Sequence, residues 1–99
     1  MVKHLVMFKL KTELPQERLN EIMQQFKQAI ERLPESIACI RKIEVGININ
    51  PAESWHVVLC SEFDSLEDVA TYASHPAHVA AASLLAEVKE CRACVDYMC

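Results

Sequence analysis

Residues 2–11 alternate imperfectly, with His4, Val6, Phe8 and Leu10 on one side and Lys3, Leu5, Met7 and Lys9 on the other. That is the period of a strand, and it is apolar on both faces. Pro15 suits a first helical turn. Leu19, Ile22, Met23, Phe26, Ile30 and Leu33 then recur at intervals of three and four until Pro34, which predicts one long amphipathic helix. The β-branched run ACIRKIEVGI at 38–47, the N-x-N-P turn signal at 48–51 and WHVVLCSEF at 55–63 predict two strands in a hairpin. Asp64 or Ser65 can cap a second helix with an inner stripe of Leu66, Val69, Ala70 and Ala73. His75 precedes Pro76, which disfavours helical backbone there, while Pro76 itself suits the first position of another helix through HVAAASLLAEVKE, residues 78–90. CRACVDYM at 91–98 predicts a last strand, with Arg92, Cys94 and Asp96 opposing Cys91, Ala93, Val95 and Tyr97.

The order βαββαβ, with no repeat and no linker, predicts one domain over residues 1–99. Its class is α+β: a ferredoxin-like, four-stranded antiparallel sheet with its helices on one face. Two helical segments cover one face only, yet Leu5, Met7, Val58 and Cys60 oppose Val6, Phe8, Trp55, Val57 and Leu59. A second copy of the chain is therefore expected on the other face, giving a homodimer through the sheet.

Composition narrows the function classes. At 52% hydrophobic and 24% charged, this is an ordinary globular domain, too short for two. Fourteen acidic against ten basic side chains, with no basic cluster, argue against nucleic acid as a partner. Lys3, Lys9 and Lys11 interrupt any secretory signal and no run reaches membrane-spanning length, so no membrane partner is expected. Five cysteines without an export signal point to reduced thiols in a cytoplasmic protein. The lone glycine, Gly46, rules out a glycine-rich phosphate loop, and no cofactor is expected.

VKHLVMFKLK at the start, EVGIN at 44–48, SEFDSLEDVATYASHPAH at 61–78 and VDY at 95–97 resemble, in order and spacing, the stress-responsive α/β barrel (Dabb) family of dimeric α+β barrels. The resemblance covers nearly the whole chain and implies a ferredoxin-like fold pairing into a dimeric barrel. One plant branch, cofactor-free polyketide cyclases that make olivetolic acid, is similar at VKHL and at Y-x-x-H-P-A-H. That similarity implies His78 as a general base and Tyr72 as the group orienting a substrate carbonyl, with His4 and His75 lining the same pocket beside Val6 and Leu59. The sequence departs from those cyclases around Trp55, His56 and Val57 and through most of the first helix, so substrate identity does not carry over.

Each sharp reading has a plainer counterpart. His75 and His78 can simply tether a helix junction while Tyr72 closes the core. His4, on the inward face of its strand, needs a polar partner whatever it does. His75-x-x-His78 with Cys91-x-x-Cys94 has a zinc-like look, but residues three apart on a strand face opposite ways, so no metal is expected. Cys91 and Cys94 read as small packing residues and Cys99 as a mobile thiol, and Glu62 with His56 as an ion pair on the dimer face. The functional expectation is a pocket that binds or converts a small hydrophobic carbonyl compound without cofactor. The alternative is a non-catalytic, stress-associated structural dimer.

Overall fold

The computed structural model describes residues 1–99. Its elements are β1 (Val2–Leu10), α1 (Gln16–Glu31), β2 (Lys42–Ile47), β3 (Val57–Phe63), α2 (Leu66–Ser74), α3 (Pro76–Ala82) and β4 (Lys89–Met98), with short 3₁₀ turns at Leu33–Glu35 and Ser83–Leu85. The strands form one antiparallel sheet in the order β2-β3-β1-β4, which is the ferredoxin-like α+β plan. Register makes the two faces distinct. Val2, Val6 and Phe8 stand opposite Phe63, Leu59 and Val57, all buried beneath the helices. From above, α1 lays Leu19, Ile22, Met23, Phe26 and Ile30 onto this layer, with the Phe8 and Phe26 rings edge to face at 5.7 Å. Each such side chain contributes about 1.5–3 kcal/mol by leaving water.

Local chemistry sets most boundaries as expected. Ser65 Oγ accepts the Asp68 N–H at 3.2 Å and caps α2. Four expectations are corrected. β2 begins at Lys42, because Ala38–Arg41 forms turns that drop Ile37 and Ile40 into the core; the β-branched content there serves burial, not pairing. β3 begins at Val57, because His56 wedges against the end of β1, its Nδ1 accepting the Leu10 N–H and its own N–H donating to the Phe8 carbonyl, both at 3.0 Å. That places His56 six residues from Glu62, beyond the other end of β3, and the two form no ion pair.

The fourth correction concerns α3, which stops at Ala82 and not near residue 90. A tighter 3₁₀ turn follows, with Ser83 Oγ donating to the Ala80 carbonyl, and it inserts Leu85 and Val88 into the core. Val88 then accepts the Lys11 N–H, and β4 starts at Lys89 with Glu90 bulged between the partners of Lys9 and Leu10. Pairing to β1 has overridden the helical pattern.

The other sheet face is bare of helices. Leu5 pairs with Cys60 and Val95 across it, Met7 with Val58, and Val95 and Tyr97 are about half exposed, at 51% and 44%. Gly46 belongs to this face: a Cβ there would meet Val58 Cγ1 at 3.0 Å. Cys91 and Cys94 are exposed along edge strand β4, so they do not pack inside the protomer as the sequence led one to expect, and Cys99, just past the strand, is exposed too. No helix is long and apolar enough to cross a membrane.

Candidate functional site

A cavity of 140 Å³ lies between the sheet and the helices. His4, Val6 and Leu59 reach it from the sheet, Tyr72 and His78 from the junction of α2 and α3, and Lys89 and Arg92 from β4. A larger groove of 350 Å³ opens at the end of the bare sheet face, but its one histidine, His56, has its Nδ1 occupied by the Leu10 N–H. The enclosed cavity is where the chemistry gathers. His75, grouped by sequence with the same pocket, is not part of its lining. Extended backbone at φ −63°, ψ 135° makes it the N-cap of α3, and its Nδ1 accepts the Ala77 N–H at 3.0 Å.

The same junction creates the site. In one continuous helix, residues six apart lie about 120° from each other around the axis, so Tyr72 and His78 could not share a face. Pro76 forbids that helix and the extended His75 turns the chain, which brings the His78 ring back over Tyr72 with centroids 4.4 Å apart. His78 Nδ1 then lies 2.9 Å from the Ala73 carbonyl. A carbonyl only accepts, so Nδ1 carries the proton and Nε2 keeps its lone pair.

Tyr72 is 1% exposed, packed at 5.1 Å from Phe63 and 6.1 Å from His4, and its hydroxyl has no hydrogen-bond partner. Buried hydroxyls almost always have one, and an unpaired one costs about 1–3 kcal/mol. Burial pushes the phenol well above its ordinary pKa, so it is a donor and not a phenolate. Burial also lowers His78 below the ordinary imidazole value; His4 and Arg92 act in the same direction, and the Ala73 hydrogen bond opposes them. The junction therefore presents a neutral base beside a protonated, unoccupied donor.

His4 is 8% exposed, and its Nδ1 donates to the Asp96 carboxylate. The two residues are cross-strand partners in the β1–β4 ladder, so both turn toward the helices. Asp96 is the residue the sequence reading missed; the signal was its shared face with Arg92 and Cys94, across from a histidine in need of a partner. Cys94 Sγ lies 3.6 Å from the same nitrogen. His4, Cys94 and Asp96 thus place three donor atoms within 4.8 Å of one another, a trio that could hold a metal ion, whereas His75, His78, Cys91 and Cys94 do not converge. Asp96→Ala leaves a buried imidazole N–H without its acceptor and is expected to destabilise the fold by about 1–3 kcal/mol, read from urea unfolding; an unchanged midpoint would show the pair to be incidental.

The stress responsive A/B barrel domain (Dabb) family model matches residues 2–99. Among solved structures, a dimeric protein of unknown function with a ferredoxin-like fold from Bacteroides fragilis is 59% identical, with a TM-score of 0.96 over 97% of this chain and 93% of that one. At3g17210 from Arabidopsis thaliana is 24% identical, with a TM-score of 0.74 over 99% and 94%. Hydroxynitrile lyase from Passiflora edulis is 19% identical, with a TM-score of 0.72 over 97% and 90%. No curated protein matches the sequence.

Proposed function

The chain belongs to the stress-responsive A/B barrel (Dabb) family, and from that premise we propose that it is a homodimer whose cavity binds and converts a small hydrophobic carbonyl compound without a cofactor. The Tyr72 hydroxyl carries this reading: it is buried and unpaired, on a residue that lines the cavity beside a neutral histidine. In the proposed step, His78 Nε2 removes a proton from the carbon next to the ligand carbonyl. Tyr72 donates its O–H to the oxygen that becomes the enolate. The enolate carbon then attacks a second carbonyl, and the imidazolium returns its proton to the alkoxide so formed. His4, held by Asp96, walls the cavity at 6.1 Å from the Tyr72 ring. Five thiols suit a reducing, cytoplasmic setting, and the net charge of −4 gives no footing for nucleic acid.

Tyr72→Phe tests this. Removing an unpaired buried hydroxyl is expected to leave the melting temperature unchanged or raise it slightly, while affinity for a neutral aryl ketone such as acetophenone falls about tenfold. A large loss of melting temperature with ligand binding intact would instead favour a purely structural dimer. That second reading has its own support, since His75 caps α3 and His78 ties α3 to Ala73.

A further inference from the structure

The cavity is apolar for most of its depth, with Val6, Phe8, Phe26, Ile30, Leu59 and Leu85 in its lining. Its volume is close to that of an apolar cavity of about 150 Å³ that holds one benzene ring. The fully charged side chains of its lining are Lys89 and Arg92, and the lining holds no carboxylate. Acidic residues outnumber basic ones in this chain, yet neither cation is paired. The ion pairs are Arg18 with Glu21, Lys27 with Glu31, Arg41 with Asp64, and His4 with Asp96. Asp96 shares a strand face with Arg92, but its carboxylate is engaged by His4 Nδ1.

Two unpaired cations against an apolar, ring-sized space, with a tyrosine whose hydroxyl lacks a partner in its wall, describe a particular ligand. We propose that the carbonyl compound is an acid, with an apolar body of about one ring in the cavity, its carbonyl oxygen at the Tyr72 hydroxyl and its carboxylate at Arg92 and Lys89. This rests on the carbonyl-compound reading of the site and narrows its substrate class. A guanidinium offers a carboxylate two parallel N–H bonds, and the ammonium adds a point charge. Arg92 already acts on His78 through its charge, and a bound carboxylate offsets that field when the ligand is in place.

Phenylglyoxylate and its neutral amide, phenylglyoxamide, separate the charge from the ring and ketone they share. Titrated into the full-length protein and followed by amide NMR shifts, the acid is expected to bind about tenfold more tightly than the amide at low salt. Lys89→Gln and Arg92→Gln alter exposed side chains while keeping the first two methylenes of each stem, so the fold is retained. Each should shrink the preference for the acid, and the double substitution should remove it, because the acid loses far more affinity than the amide does. Equal binding of acid and amide by the wild type, or a preference that survives in the double variant, overturns the inference while leaving the carbonyl site standing. If neither compound perturbs the residues around the cavity, the site reading falls and the inference with it.

Discussion

His78→Asn is expected to lower turnover of a carbonyl substrate by about 10²–10⁴-fold, the usual contribution of a positioned general base, with little change in melting temperature. Asparagine is the informative replacement because His78 does two things. Its Nδ1–H ties α3 to the Ala73 carbonyl, and its Nε2 is the base. An asparagine amide can donate to the same carbonyl but has no comparable lone pair. His78→Ala removes both and should also cost about 1 kcal/mol, several degrees in a domain of this size. The pair of variants separates chemistry from tethering: a structural junction predicts that asparagine behaves like the wild type in every assay.

The pH dependence has a definite sign. Burial, with His4 and Arg92, lowers His78 below the ordinary imidazole value of 6.5. The base form therefore predominates from that value upward, and activity should fall only further into acid. Folding follows the same direction. As pH drops through 6.5 the unfolded chain takes up the proton before the folded one, so stability from this residue is full above 6.5 and declines as pH falls toward the folded value. An activity limb centred at or above 6.5 that disappears in His78→Asn would contradict the burial of this base.

The elements that hydrophobic period alone determines were legible in the sequence, and those set by pairing were not. β1 and α1 announce themselves because each keeps one period over its length and buries one stripe, ending at Leu10 and near Pro34. The Ser65 cap is a local hydrogen bond with a local signature. The end of α3 is different: Leu85 and Val88, three apart, satisfy a helical stripe as well as a 3₁₀ turn feeding a strand. What decides is a backbone bond from Lys11, more than seventy positions away in sequence. The site divides likewise. Tyr72 and His78 were named through the likeness of Y-x-x-H-P-A-H to the cyclases, whereas the proline between them by itself signalled only a helix junction. Asp96 was hidden because its meaning depends on the register that sets β4 against β1, and His75 was misplaced because its capping role consumes the nitrogen a pocket would need.

Val58→Glu is expected to convert the dimer into a monomer at micromolar concentration, as measured by light scattering, while the protomer keeps its helical signal. Val58 faces Met7 and Gly46 on the helix-free side of the sheet, so the new carboxylate touches none of the core beneath α1. In the monomer it sits in water at small cost. A two-fold interface presents the same patch twice, so each dimer would bury two carboxylates. Left unpaired, a buried charge costs about 3 kcal/mol or more, which weakens association by more than a hundredfold. Lys3 and Lys9 stand on the same face of β1, so Leu5→Glu could find a partner in Lys3, two residues along, and should disrupt less than Val58→Glu. That ordering identifies the interface, because a dimer joined through the helices or through the β4 edge would be insensitive to position 58. A Val58→Glu protein that still scatters as a dimer would place the contact elsewhere and leave the apolar face without an occupant.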